Sequence, residues 1–429
     1  MRKTVNCLED LVDLDGFDSL TFSSDFTEPL SRVDLTGIEL ICIEFNRPLE
    51  GLDLKEVRKL VFGDHFNQPI ENFDLKLINH LCFGTFFNQA IEKLDLKVVT
   101  NLQFGQYFDH PVEMLDLKMV SVLSFGANFN QRVEKLDLKG VRRLNFGYSN
   151  SIQPVRFNQP VERLDLKQVT HLLLGNNFNQ PIERLDLKGV TYLYLGDRFN
   201  HPVENLDLKE VGGITFGVDF NQPIERLDLK LVKSLSFGSI SNSYRCDFNQ
   251  PIGGLDLKMV EVLVFGKYFN QPIEQLDLKG VTRLTFGDYF NHPIEGLDLK
   301  MVEALVFGYY FNQPISKLDL SRIQHLEFPT YSEFKHSIPT LSPDCWVRLP
   351  FNYRPPQVNY IDLPEIENGD QFSNVKCFCG DHIDLVILKC NHVLCFICFT
   401  KWVKAKYNCP YCRRDYSRLS PMLFCNRLG

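Results

Sequence analysis

The sequence predicts a mainly β chain, a parallel β-solenoid built from 21-residue coils and followed by a small metal-stabilised module. Three observations predict it. One phrase recurs at near-constant spacing from about residue 11 to residue 328. Gly, Pro and Asn interrupt that phrase so often that a long helix in each coil is ruled out. Four close-set Cys/His pairs then crowd residues 377–412. A fixed period of this length means coils that each bury their apolar face only against neighbouring coils.

The phrase is clearest in FNQPIEQLDLKGVTRLTFGDY, residues 269–289. Its opening Phe falls at 26, 45, 66, 87, 108, 129, 157, 178, 199, 220, 248, 269, 290 and 311, which gives about 14 coils. Most steps are 21 residues, one is 19 and two are 28. In Leu276-Asp277-Leu278-Lys279 the alternation turns Leu inward and Asp and Lys outward, as a strand does. Val281, Leu284 and Phe286 form a second inward set, and Gly287 allows the corner after it. Phe-Asn-Gln-Pro makes the other corner, where Asn can bond backbone groups inside the turn. The expectation is therefore two short strands per coil, stacked in parallel at roughly 4.8 Å.

Stacking sets equivalent residues in columns. The Phe column is core. Fifteen Asp, from Asp13 to Asp319, form a column of like charge, and twelve Lys, from Lys55 to Lys300, follow two residues on and cancel it. This is a solvated, self-neutralising surface, because the Gly-rich turns of a calcium-binding array are missing. His110, His201 and His292 stand where other coils carry Gln, and are expected to be corner hydrogen-bonders. The outward residue between Leu and Phe of the second strand varies from coil to coil (Val61, Cys82, Gln103, Ser124 and onward). Variation on a rigid frame is one way to encode recognition, and drift explains it equally well. Both 28-residue coils carry their insertion at the same corner, near Tyr148–Arg156 and Ser239–Asp247, and these are expected to form paired prongs at a partner site.

FNQPIE corners with LDL and LxFG resemble the FNIP repeat, a leucine-rich-repeat relative known from social amoebae and the giant viruses of amoebae. The resemblance covers residues 1–328 and implies a leucine-rich-repeat-like solenoid. Some relatives carry an N-terminal F-box, another route into ubiquitin ligases, but residues 1–25 show no such pattern. Residues 329–371 lose the period and are rich in Pro, which reads as a cap that includes Trp346 and Leu349, followed by an extended linker.

Composition narrows the setting. Hydrophobic content of 44% and charge of 23% are ordinary for a globular protein. From Asp370 onward there are 9 Lys/Arg against 4 Asp/Glu, so the rest holds 37 against 50. A basic tip on an acidic body argues against nucleic acid as a general partner, since phosphate-seeking charge is confined to one module (Lys401, Lys404, Lys406, Arg413, Arg414). The start MRKTVNCLEDLVDLDG has no apolar run, and no stretch is long and apolar enough for a membrane. Unpaired Cys imply a reducing compartment. The expected location is intracellular and cytoplasmic, in a host cytoplasm if the source is viral.

The eight ligands are Cys377/Cys379, Cys390/His392, Cys395/Cys398 and Cys409/Cys412. Two such pairs complete a tetrahedral zinc, so the set implies two Zn2+ and no open position for a catalytic water. Cys390/His392 and Cys395/Cys398 are too close along the chain to share one ion. Interleaving puts Cys377, Cys379, Cys395 and Cys398 on one zinc, and Cys390, His392, Cys409 and Cys412 on the other. His382 is an alternative partner for Cys379 in the first pair. A module this short folds on metal binding.

These residues resemble a RING finger, whose cross-brace matches the interleaving, over residues 372–418, with a tail at 419–429. The first pair departs from the family's Cys-x-x-Cys. The resemblance implies a RING-type ubiquitin ligase without a nucleophile of its own, acting on a ubiquitin-conjugating enzyme charged with ubiquitin. Phe378, Trp402 and Pro410 match the family's apolar contact to that enzyme, and Arg413 matches an Arg that bonds both enzyme and ubiquitin. The solenoid would then hold a protein substrate. The alternative is a non-enzymatic zinc-containing adaptor or scaffold, in which Phe378 and Trp402 are merely the module's core.

Overall fold

A computed structural model describes residues 1–71, 73–147, 155–238, 246–339, 341–342, 345–350 and 353, together with the backbone of 385–388, 393–395 and 425–428. The chain divides into two compact units, Met1–Leu276 and Asp277–Gly429.

Among the described residues, the first unit contains thirteen short strands: β1 (Arg2–Val5), β2 (Ser19–Phe22), β3 (Leu40–Ile43), β4 (Lys59–Phe62), β5 (His80–Cys82), β6 (Asn101–Gln103), β7 (Val122–Phe125), β8 (Arg143–Phe146), β9 (His171–Leu173), β10 (Tyr192–Tyr194), β11 (Gly213–Phe216), β12 (Ser234–Phe237) and β13 (Val262–Val264). Each pairs in parallel with the next in chain order. Leu60 lies opposite Leu81, Leu81 opposite Leu102, and Leu102 opposite Leu123. The solenoid expected from the period is what forms, with one strand in each coil instead of two.

The missing strand is the Leu-Asp-Leu run. Its alternation is as expected: Leu94 and Leu96 are buried while Asp95 and Lys97 face solvent. Its backbone, however, is spent on turns. Leu94 donates its N–H to the Ile91 carbonyl at 3.0 Å and Val99 donates to Leu96 at 3.0 Å. The Asp95 carboxylate accepts the Lys97 N–H at 3.2 Å. An Asp that caps the backbone two residues on makes an Asx turn, which takes that segment out of the sheet. The Lys97 ammonium also reaches Asp95 at 3.1 Å, and the same pairing recurs at Lys55–Asp53 (2.7 Å) and Lys209–Asp207 (3.1 Å). The two charge columns thus cancel within most coils, as an exposed surface of modest energetic weight.

Two Phe columns fill the interior. Phe104 at the strand end stacks on Phe108 of the following corner with centroids 4.1 Å apart, and Phe83/Phe87 repeat this at 4.1 Å. Along the columns, Phe83–Phe104 are 5.6 Å apart and Phe87–Phe108 are 6.3 Å apart. Each buried ring contributes about 2–3 kcal/mol as an upper bound.

The corner Asn does not bond within its own turn. Asn88 donates its backbone N–H to Asn67 Oδ1 of the preceding coil at 2.9 Å, and Asn67 donates to Asn46 Oδ1 at 2.9 Å. Gln89 Nε2 reaches the same Asn67 oxygens at 3.0 and 3.1 Å. The His substitutes do likewise: His110 Nε2 lies 3.1 Å from the Asn88 carbonyl and His201 Nε2 lies 3.0 Å from that of Asn179. The ladder survives the insertions, since Asn158 still donates to Asn130 Oδ1 at 2.9 Å across 28 residues.

The second unit contains β14 (Arg283–Thr285), β15 (Ala304–Val306), β16 (His325–Glu327) and β17 (Trp346–Arg348), again parallel in order. Stacking therefore continues past the boundary expected at residue 328, and Trp346 opens a further strand where a cap was expected. Phe334 and His336 explain why. Phe334 stacks on Phe328 at 4.3 Å, Lys335 donates its N–H to Asn312 Oδ1 at 3.1 Å, and His336 Nε2 meets the Asn312 carbonyl at 2.9 Å. Phe-Lys-His performs the work of Phe-Asn-Gln with two-thirds of the letters changed. This unit also holds a three-stranded antiparallel sheet in which β18 (Leu385–Leu388) lies between β19 (Val393–Cys395) and β20 (Cys425–Leu428).

The Gly after most of the strands is a packing requirement. A Cβ on Gly105 would strike the carbonyl of Gly84, and one on Gly84 that of Gly63, whereas a Cβ on Gly253 would meet nothing within 4 Å. Gly105→Ala is expected to destabilise by about 2 kcal/mol in urea unfolding. Gly253→Ala is expected to stay within about 0.5 kcal/mol.

Candidate functional site

Every expected zinc ligand and conjugating-enzyme contact lies outside the described residues, except that Cys395 closes β19. Among the described residues no group of three or more His, Cys, Asp and Glu is placed to hold a metal ion. The inserted stretches 148–154 and 239–245 also lie outside them, while their returning residues Val155 and Cys246 are buried.

Within the first unit, an open cleft of about 540 Å³ runs beside β4–β7. Its construction follows from the coil. The glycines after successive strands, Gly63, Gly84, Gly105 and Gly126, line it, and Gly84, Gly105 and Gly126 each rest on the carbonyl of the glycine before. One wall is the variable outward column, Val61, Cys82 and Gln103; the other is Asp64, Thr85 and Gln106. Glu44 stands at one end, its carboxylate against Gly63. At the other end Ala127 and then Val155 turn inward and are buried, and Val155 packs on Gly147 and Gly175. The returning Val of the first insertion thus packs where a Cβ on Gly147 or Gly175 would sit. Cys246 does the same over Gly266 after the second insertion. Both insertions leave the strand through a glycine of positive φ, Gly147 at +114° and Gly238 at +112°, a conformation other residues rarely adopt.

The residues directly after the polar wall form an exposed aromatic ridge. His65 stacks on Phe86 at 5.5 Å, and Phe86 on Tyr107 at 5.1 Å. Phe86 is 44% exposed and Tyr107 37%. Asp64 is pinned by the next coil: the Thr85 hydroxyl donates to it at 2.6 Å and the Thr85 N–H at 3.2 Å. These bonds, the hydroxyl's first, hold its carboxyl below the usual Asp range.

Burial raises the Cys82 thiol beside the cleft, with Cys42 adding to the effect. Burial pushes the Cys246 thiol up to about 11. Further along the same face, burial raises the Asp197 carboxyl, opposed by a 2.7 Å bond from the Tyr194 hydroxyl. The variable column was legible in the sequence. The cleft beside it was not, because Gly was read only as a corner, and the signal available was the Gly recurring at the coil period.

The family model described as "Mycoplasma protein of unknown function, DUF285" matches residues 56–173, 117–261, 197–303 and 247–340. The chain belongs to this family. DUF285 repeats therefore supply the coils that carry the cleft. The chain is also similar to a solved structure described as the crystal structure of CroV588, a novel circular LRR protein, at 25% identity and a TM-score of 0.53 over 82% of this chain. It spans 59% of the length of that protein. No curated protein matches the chain. Among the described residues, no helix is long and apolar enough to cross a membrane.

Because the folded Asp64 carboxyl titrates below its unfolded value, its bonds to Thr85 stabilise above an ordinary Asp pKa of about 3.9 and are lost as pH falls through the depressed value. Asp64→Ala is thus expected to lower the urea midpoint at neutral pH, and the gap from the parent protein should close in acid. A gap independent of pH would show that the carboxylate charge is not what Thr85 recognises.

Proposed function

We propose that the chain is a RING-type ubiquitin ligase, in which the solenoid holds a protein substrate and the C-terminal module recruits a ubiquitin-conjugating enzyme charged with ubiquitin. The spacing of Cys377, Cys379, Cys390, His392, Cys395, Cys398, Cys409 and Cys412 carries this reading. Four pairs interleaved on two Zn2+ give a rigid knob with no open coordination position, suited to docking and not to metal catalysis. The antiparallel pairing of β18 with β19, Ile387 opposite Val393, falls between the first and third pairs in the chain, with Cys390 and His392 in the sequence between the strands. The coils resemble FNIP repeats, and some FNIP relatives carry an F-box, another route into ubiquitin ligases.

In this reading no side chain of the chain attacks ubiquitin. Phe378, Trp402 and Pro410 hold the conjugating enzyme and Arg413 closes ubiquitin onto it, so acceleration comes from positioning. The solenoid supplies the complementary part, a rigid frame with a coil-by-coil variable column. The cytoplasm is the setting that thiolate ligands require.

The purified chain should carry two equivalents of zinc by elemental analysis. It should build ubiquitin chains on itself with at least one member of a panel of conjugating enzymes. Trp402→Ala should lower that activity about tenfold or more while retaining both zincs. Fewer than two zincs, or full activity in Trp402→Ala, would reject the assignment. Two zincs without activity would favour a non-enzymatic scaffold.

A further inference from the structure

The cleft beside β4–β7 has a direction, a sign and an end. It runs along the stacking axis from Glu44 to Ala127, across coils spaced by roughly 4.8 Å, and so spans about 19 Å. An extended polypeptide advances roughly 3.3 Å per residue, so about six residues fit along it. Its charged lining is Glu44 and Asp64, and no Lys or Arg lines it among the described residues. The aromatic edge His65, Phe86 and Tyr107 borders that acidic half, and a Lys or Arg stem can lie across those rings while its cation faces the carboxylates. Its lining ends at Gly126 and Ala127, so the site is confined to a few coils and is not a property of the whole repeat.

We propose that this cleft binds an extended, Lys/Arg-bearing segment of a partner protein, with the basic side chains on Glu44 and Asp64 and their stems on Phe86 and Tyr107. The partner is a polypeptide: the channel's length suits an extended chain, and its acidic lining repels phosphate polymers and anionic membranes alike. Gln103 and Thr85, on opposite walls, supply polar groups for the peptide backbone. The inference stands apart from the zinc module. If the ligase reading also holds, it names the class of segment by which a substrate is captured.

The test is fluorescence anisotropy of the full chain with a labelled peptide of alternating Lys and Ser, about twelve residues long so that it overhangs the cleft at both ends. The Lys/Ser peptide should bind and a Glu/Ser peptide of equal length should not. Glu44→Gln with Asp64→Asn, which keeps an acceptor for Thr85, should weaken binding about tenfold. Phe86→Ala should weaken it several-fold. Asp207→Asn with Asp228→Asn removes the same charge elsewhere in the first unit and should leave affinity within about twofold. Parent-like circular dichroism and cooperative urea unfolding show that the variants are folded. The proposal is overturned if the parent protein does not bind, if the cleft variant binds as the parent does, or if the distant charge variant loses as much. None of these outcomes depends on zinc or on ubiquitin transfer, so failure here leaves the ligase reading to its own test.

Discussion

Everything in the solenoid rests on how closely one coil can lie on the next. Strand hydrogen bonding sets a separation near 4.8 Å, and each corner must meet it without a side chain in the way. At the strand end this is done by glycine resting on the carbonyl of the glycine before it. At the other corner it is done by asparagine, whose side-chain oxygen takes the next coil's backbone N–H. Both devices join a coil only to its neighbour, so stability is a sum over nearest-neighbour contacts.

That constraint explains why one face of the protein can be a cleft. Close approach at the corner excludes Cβ atoms, so the glycine row presents bare backbone to the cleft. Where Val155 and Cys246 return from the insertions, a buried side chain packs on the glycines instead. Carboxylates at Glu44 and Asp64 and a stacked aromatic edge then give the open part its chemical character.

Much of the fold was legible because the period is nearly strict and burial follows it. The strand Leu-x-Phe, the inward Leu pair and the buried Phe columns all follow from alternation and spacing. Leu-Asp-Leu misled because alternation reports which side chains point inward, whereas strand status depends on where the backbone bonds go, and Asp diverts them into turns. The strands outside the expected coils were hidden for a different reason. β1 has no Phe corner before it, and β17 follows Phe-Lys-His, in which His336 and the Lys335 N–H reproduce the geometry of Gln and Asn. The Cys/His spacing of residues 377–412 is explicit in the sequence, since a chelating pair needs only a few residues at short range. The cleft is the opposite case: its walls come from residues a full coil apart, and only stacking brings them together.

The most direct test of this account is amide hydrogen exchange at the corner asparagines. Asn88 lies on the surface, yet its backbone N–H is bound to Asn67 Oδ1 of the preceding coil, and Asn179 is bound in the same way to Asn158. Nearest-neighbour locking predicts that these exposed corners exchange about a hundredfold or more slower than an unstructured chain, in step with the strand amides of the same coils. Free exchange at Asn88 and Asn179 while the Leu102 and Leu193 amides stay protected would contradict it.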